Sequence, residues 1–67
     1  TLDVERGLDE AQRSVYRVLP EQEPIHIDTL STRAGLSVPE TLAILLGLEL
    51  RGLAEQLSGK RFLRQIA

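Results

Sequence analysis

Residues 26–53 read HIDTLSTRAGLSVPETLAILLGLELRGL, and the order of caps and apolar positions in this stretch decides the fold. Asp28 is expected to cap a two-turn helix that turns Leu30 and Ala34 inward and Thr29, Ser31, Thr32 and Arg33 outward. Gly35 suits the left-handed position that ends such a helix, and Leu36 supplies the apolar residue of a tight turn. Ser37-Val38-Pro39-Glu40 is an S-x-x-E capping box with proline in the first turn, a strong start signal for the next helix. That helix runs to about Arg51 and stops at Gly52. The stretch is a helix-turn-helix.

Working outward, Ile25-His26-Ile27 is a short apolar-polar-apolar strand bounded by Pro24 and Asp28. Upstream, Asp9 caps a first helix, and Gln12 closes a capping-box-like pair with it. Leu8, Ala11, Val15, Tyr16, Val18 and Leu19 form the stripe of this helix, and Pro20 stops it. Residues 1–7 are polar, lack a period and end in glycine, and read as the tail of a linker ahead of a single domain over residues 8–67. Downstream, Leu53 to Leu57 and Arg61 to Ile66 are two strands joined across Ser58-Gly59-Lys60. The resulting order, α–β–α–α–β–β, predicts a mainly α winged helix-turn-helix: a three-helix core plus a small β-hairpin wing.

The 67 residues contain no cysteine, which excludes a disulfide framework and any thiolate metal site. Tyr16 and Phe62 are the only aromatics, so the core is aliphatic. No apolar run approaches the roughly 20 residues that span a membrane, and no signal peptide opens the chain. The chain begins at Thr1 without an initiator methionine and reads as a piece of a longer protein. The missing cysteines and signal make a cytoplasmic location the expectation. Net charge is −2, but it is unevenly placed. Residues 1–57 hold all ten acids against five arginines, whereas residues 58–67 hold Lys60, Arg61 and Arg64 and no acid. Only the C-terminal tip is suited to a phosphate backbone.

The third helix lacks the side chains that read bases. A helix in the major groove carries Arg, Lys, Asn, Gln or Ser on its outer face; Leu42 to Leu48 here is LAILLGL. At about 100° per residue, Val38, Leu45, Leu48, Glu49 and Gly52 point toward the other helices. Ala43, Ile44, Leu46 and Leu50 lie on other sides, with Gly47, Glu40 and Arg51 as a narrow polar gap. A helix apolar nearly all round needs cover nearly all round. Either the wing and first helix supply it, or Ala43, Ile44, Leu46, Gly47 and Leu50 form an exposed face that docks on another protein surface. On both readings sequence-specific recognition is excluded, because Arg51 alone supplies no base code.

Lys60, Arg61 and Arg64, with Arg51, are the candidate phosphate contacts, giving sequence-independent, salt-sensitive binding to single- or double-stranded DNA. The alternative is that they serve solubility and blunt an edge strand. His26 is the only histidine and has no second His or Cys with which to hold a metal. No nucleophile elbow, Gly-rich phosphate loop or paired carboxylate appears. No catalysis, metal or cofactor is expected.

Several segments carry a family resemblance: Pro24-Ile25-His26-Ile27-Asp28 with Leu30, Ala34-Gly35-Leu36-Ser37-Val38, Leu48-Glu49-Leu50-Arg51-Gly52-Leu53, and Leu57-Ser58-Gly59-Lys60-Arg61-Phe62. The chain from about Leu8 to Arg64 resembles the C-terminal winged-helix domain of the DNA-processing protein A (DprA, or Smf) family. The resemblance implies a bacterial cytoplasmic protein of natural transformation. Such a protein binds and shields incoming single-stranded DNA and loads the RecA recombinase on it through a central Rossmann-like domain. The winged helix is then an accessory module, and its expected partners are that central domain, a second copy, or DNA bound weakly. One departure is visible: Glu55 and Gln56 stand where relatives often carry arginine.

Overall fold

The computed structural model describes residues 2–65. In chain order its elements are α1 (Leu2–Arg6), α2 (Glu10–Val18), β1 (Ile25–His26), α3 (Ile27–Ala34), α4 (Val38–Leu50), β2 (Ala54–Leu57) and β3 (Arg61–Arg64). The strands form one antiparallel sheet in the order β1-β3-β2, with Ile25 paired to Phe62 and Gln56 paired to Phe62 from the other side. This is the expected winged helix, extended by one helix at the N-terminus. Its core gathers Val15, Tyr16 and Leu19 from the first long helix and its exit, Ile27 and Leu30 from α3, Leu45 and Leu48 from α4, and Phe62 from the central strand.

Local chemistry explains the helix boundaries. At α2 the Gln12 amide donates to Asp9 Oδ1 (2.8 Å) and the Asp9 amide donates to Gln12 Oε1 (3.2 Å), the expected reciprocal box. At α4 the Glu40 amide donates to Ser37 Oγ, while the Ser37 amide and hydroxyl donate to Glu40 Oε1 (3.2 and 2.9 Å). Both long C-terminal exits use glycine in the left-handed region, Gly35 at φ 73° and Gly52 at φ 74°. In each, the next residue's amide reaches back, Leu36 to the Ser31 carbonyl and Leu53 to the Leu48 carbonyl, closing otherwise unpaired helix-end groups.

The Ser37 backbone and then its hydroxyl hold the Glu40 carboxyl below its usual range. A folded-state pKa below the unfolded one contributes stability above the unfolded value, and that contribution is lost as pH falls through the folded value. Glu40→Gln keeps an acceptor for Ser37 but removes the titration. Thermal melts from neutral pH down to about pH 3 are therefore expected to fall less steeply for Glu40→Gln than for the native chain. Equal slopes would show that this box contributes nothing to acid sensitivity.

Four expectations change. Residues 1–7, read as linker, contain α1, which is held from outside itself: Val4 packs on the core and Glu5 Oε1 accepts from Arg17 Nε at 2.8 Å. The cap of α3 is His26 rather than Asp28, its Nδ1 accepting from the Asp28 amide at 3.1 Å. The sheet causes this shift, because the Ile27 amide donates to the Lys60 carbonyl (2.9 Å) and the chain must leave β1 at that point with Ile27 buried. Starting α3 there places Ser31 four residues after Ile27, on the inner face, where its hydroxyl donates to the Asp28 carbonyl. The hairpin strands are also shorter than expected: Leu53 belongs to the exit of α4, β3 ends at Arg64, and Ile66 lies outside the described residues.

Candidate interaction face and wing tip

Helix α4 has hardly any preferred apolar side, in contrast to the strongly one-sided α2. Its inner face is Thr41, Leu45 and Leu48, all fully buried, with Val38 and Ile44 half-buried against the core. Thr41 is tolerated inside because its hydroxyl donates to the Ser37 carbonyl at 2.8 Å. Seating Thr41 inward turns Leu42 outward. Leu42, Leu46 and Leu50 are 43%, 58% and 81% exposed, and Ala43 is exposed beside them. Spaced four residues apart, the three leucines make a continuous ridge about 12 Å long.

The wing leaves these leucines uncovered. Of the five residues expected on this face, the structure places Ala43, Leu46 and Leu50 on it. Ile44 instead packs toward the core, and Gly47 is half-buried facing α2. Leu42 joins the face, and with apolar residues on nearly every side of α4 no signal in the sequence set it apart. A Cβ at Gly47 would meet only Gln12 Nε2, at 3.4 Å, which is ordinary contact with the end of a flexible side chain. Gly47→Ala is therefore expected to stabilise the chain by about 0.5–1 kcal/mol through helix propensity. A lowered melting temperature would contradict this.

The four basic candidates do not converge. Arg51 ends α4 with its Nη1 donating to the Gly7 carbonyl at 2.9 Å, which ties the helix end to the α1–α2 junction. Lys60 is exposed at the hairpin tip with φ 57°, and Arg61 is exposed beside it with Nε donating to the Ser58 carbonyl at 2.9 Å. Arg64 points elsewhere. Its guanidinium carbon lies 4.4 Å above the Tyr16 ring, Nη2 donates to the Tyr16 carbonyl at 2.8 Å, and Nη1 stands 3.6 Å from Glu21 Oε1. With a side chain only 16% exposed, Arg64 braces the sheet against α2. Alternation along a strand already puts residues 61 and 64 on opposite faces, so the grouping of Lys60, Arg61 and Arg64 reduces to Lys60 and Arg61. Glu55 and Gln56 are exposed on the neighbouring strand.

Between the wing and α4 lies a cleft of about 360 Å³ that the sequence did not announce. Ile27, Val38, Leu42 and Phe62 supply its apolar lining, and His26, Asp28, Gln56 and Lys60 its polar part. It joins the leucine ridge at Leu42. His26 is occupied locally, as the cap of α3 and 3.6 Å from Asp28 Oδ2. Among the described residues no group of three or more His, Cys, Asp or Glu side chains is placed to hold a metal ion. No helix among them is long and apolar enough to cross a membrane.

Comparison with curated proteins and with solved structures gives no match. Comparison with family models does: residues 3–60 match the family described as the DprA winged helix domain. The matched span runs from α1 through the helix-turn-helix to the tip of the wing and includes the apolar α4. The chain belongs to the DprA winged-helix domain family.

Proposed function

We propose that this chain is a non-catalytic accessory module of a cytoplasmic DNA-processing protein of natural transformation, and that its α4 associates with protein instead of reading bases. In that setting the parent protein holds incoming single-stranded DNA and passes it to a recombinase. The observation that carries the reading is the ridge of Leu42, Leu46 and Leu50 on the helix that would enter a major groove. Three exposed leucines in a row on so small a domain form a contiguous apolar patch of the kind that marks a protein contact. The exposed residues of this helix before Arg51 are Pro39, Glu40, Leu42, Ala43, Leu46 and Leu50, none with a side-chain donor for a base edge.

The test is amide chemical-shift mapping of the labelled chain. Added DNA is expected to leave Leu42, Ala43, Leu46 and Leu50 unmoved, whereas raising the protein concentration, or adding a DprA-family protein that lacks this domain, shifts them. Shifts on that ridge that depend on DNA sequence would overturn the reading.

A second reading, auxiliary DNA contact by the wing, is favoured by the exposure of Lys60 and Arg61 at its tip. Two cations make about two phosphate contacts, so log affinity against log salt is expected to have a slope no steeper than about −2. A slope near −4 would require Arg51 and Arg64 as well.

A further inference from the structure

We propose that His26 is the third member of the wing's phosphate contact, and that it makes this contact stronger as pH falls. The inference rests on the reading of the wing as an auxiliary DNA contact and deepens it by adding one residue and one proton. Pairing of β1 with β3 sets His26 opposite Arg61. Residues opposite each other across two strands share a face, with Cβ atoms about 5 Å apart. Ile25 and Phe62, the next pair along, are buried, so His26 and Arg61 occupy the outer face, where both are exposed. Lys60, beside Arg61 at the tip, lines the same cleft as His26. The imidazole thus stands next to both exposed cations of the wing tip.

One neighbour is equipped for both charge states of the ring. In the neutral ring Nδ1 accepts from the Asp28 amide at 3.1 Å, which leaves the proton on Nε2. Asp28 Oδ2 lies 3.6 Å from the same Nδ1. Histidine changes charge between about pH 8 and pH 5, and Nδ1 then turns from acceptor to donor. The Asp28 carboxylate receives that proton in place of the amide, so the cap of α3 is exchanged for an ion pair. Nε2–H is a donor in both states, and protonation adds a full positive charge to it. The side chain is 47% exposed, which leaves it open to a ligand. Arg61 on β3 and Lys60 in the turn repel a charged ring, and Asp28 on α3 attracts it. Val38 and Leu42, the cleft residues of α4, carry no charge. On β2, Gln56 is neutral, and Glu55 lies two strands and two residues away on the outer face, about 12 Å. A phosphate oxygen among Lys60, Arg61 and Nε2–H offsets the crowding of three cations, and this links the proton to DNA.

His26→Asn separates the proton from the cap, because asparagine is a strong N-cap acceptor that does not titrate. The probe is a mixed-sequence single strand of about 20 nucleotides, with binding read by fluorescence anisotropy at about pH 7.5 and about pH 5.5 in low salt. Native affinity is expected to rise about fivefold on acidification, and the slope of log affinity against log salt to steepen by about 0.7. His26→Asn should show neither change, with circular dichroism confirming its fold at both pH values. Nitrogen-15 spectra of the imidazole at the higher pH should show Nδ1 bare and Nε2 protonated. Native and His26→Asn chains with the same pH dependence, or a neutral ring that carries its proton on Nδ1, overturn the proposal. If both chains bind DNA with an unchanging slope set by two contacts, the wing reading stands and only the part given to His26 fails. If neither chain binds DNA at either pH, the wing reading fails and this inference falls with it.

Discussion

Phe62→Ala is expected to lower the stability of the chain by about 3–5 kcal/mol. Phe62 sits on the central strand, 1% exposed, paired with Ile25 on one side and Gln56 on the other, and it also lines the cleft against α4. Removing a buried phenylalanine costs about 3–5 kcal/mol, part lost transfer energy and part the cavity left behind. A domain of this size has a total stability of roughly 3–10 kcal/mol, so the loss removes between about a third and all of the margin. No second aromatic stands nearby on the sheet to fill the space, since Tyr16 is the only other one and belongs to α2. Urea titration followed by far-UV circular dichroism reads the effect directly. A loss under about 1.5 kcal/mol would mean that the three strands do not depend on this side chain for their packing against the helices. Phe62→Leu, which keeps most of the volume, should lose far less.

The second large effect is at Arg64, and it separates two roles that look alike in the sequence. Arg64→Ala removes a charged hydrogen bond to the Tyr16 carbonyl, the stacking on the Tyr16 ring and the approach to Glu21. A hydrogen bond from a charged group contributes about 1.5–3 kcal/mol, and the ring contact about 0.5–1 kcal/mol when partly exposed. A destabilisation of about 2–3 kcal/mol is expected, with DNA affinity unchanged wherever the variant remains folded. Arg64→Lys should recover only part of the loss, because an ammonium cannot stack flat on the ring and reach the carbonyl at once. Lys60→Ala and Arg61→Ala should do the reverse, changing stability by less than about 0.5 kcal/mol and lowering whatever salt-sensitive DNA affinity the chain has. Three bases within five residues thus divide into one brace and two surface charges. An Arg64→Ala variant with native stability and reduced DNA binding would put Arg64 back with the wing tip.

The division between these arginines follows from strand alternation, and part of it was legible in advance. A strand over Arg61–Arg64 puts its first and fourth residues on opposite faces. What alternation could not say is which face meets α2, because Tyr16 and Arg64 are 48 residues apart and become neighbours only when the sheet docks. The apolar α4 posed a similar problem. Its composition showed that it needed cover on several sides, yet with leucine or isoleucine in every direction no periodicity could single out the inner one. The single polar residue with a satisfied burial, Thr41, decided it. The cap of α3 is a third case: statistics favour Asp28, and pairing of β1 with β3 imposes His26.

The sequence by itself determined the elements from α2 onward and their order. Asp9 with Gln12, Ser37 with Glu40, and the glycines at 35 and 52 act through hydrogen bonds reaching only a few residues along the chain, so they work before any tertiary contact exists. From these the helix-turn-helix and its wing follow. The tertiary structure alone decided that α1 is a helix, that β3 is the central strand, that Arg64 is withdrawn onto Tyr16, and that Leu42, Leu46 and Leu50 face solvent. The physical reason is common to all four: burial and long-range pairing depend on which surface arrives opposite a residue, and that surface comes from distant parts of the chain.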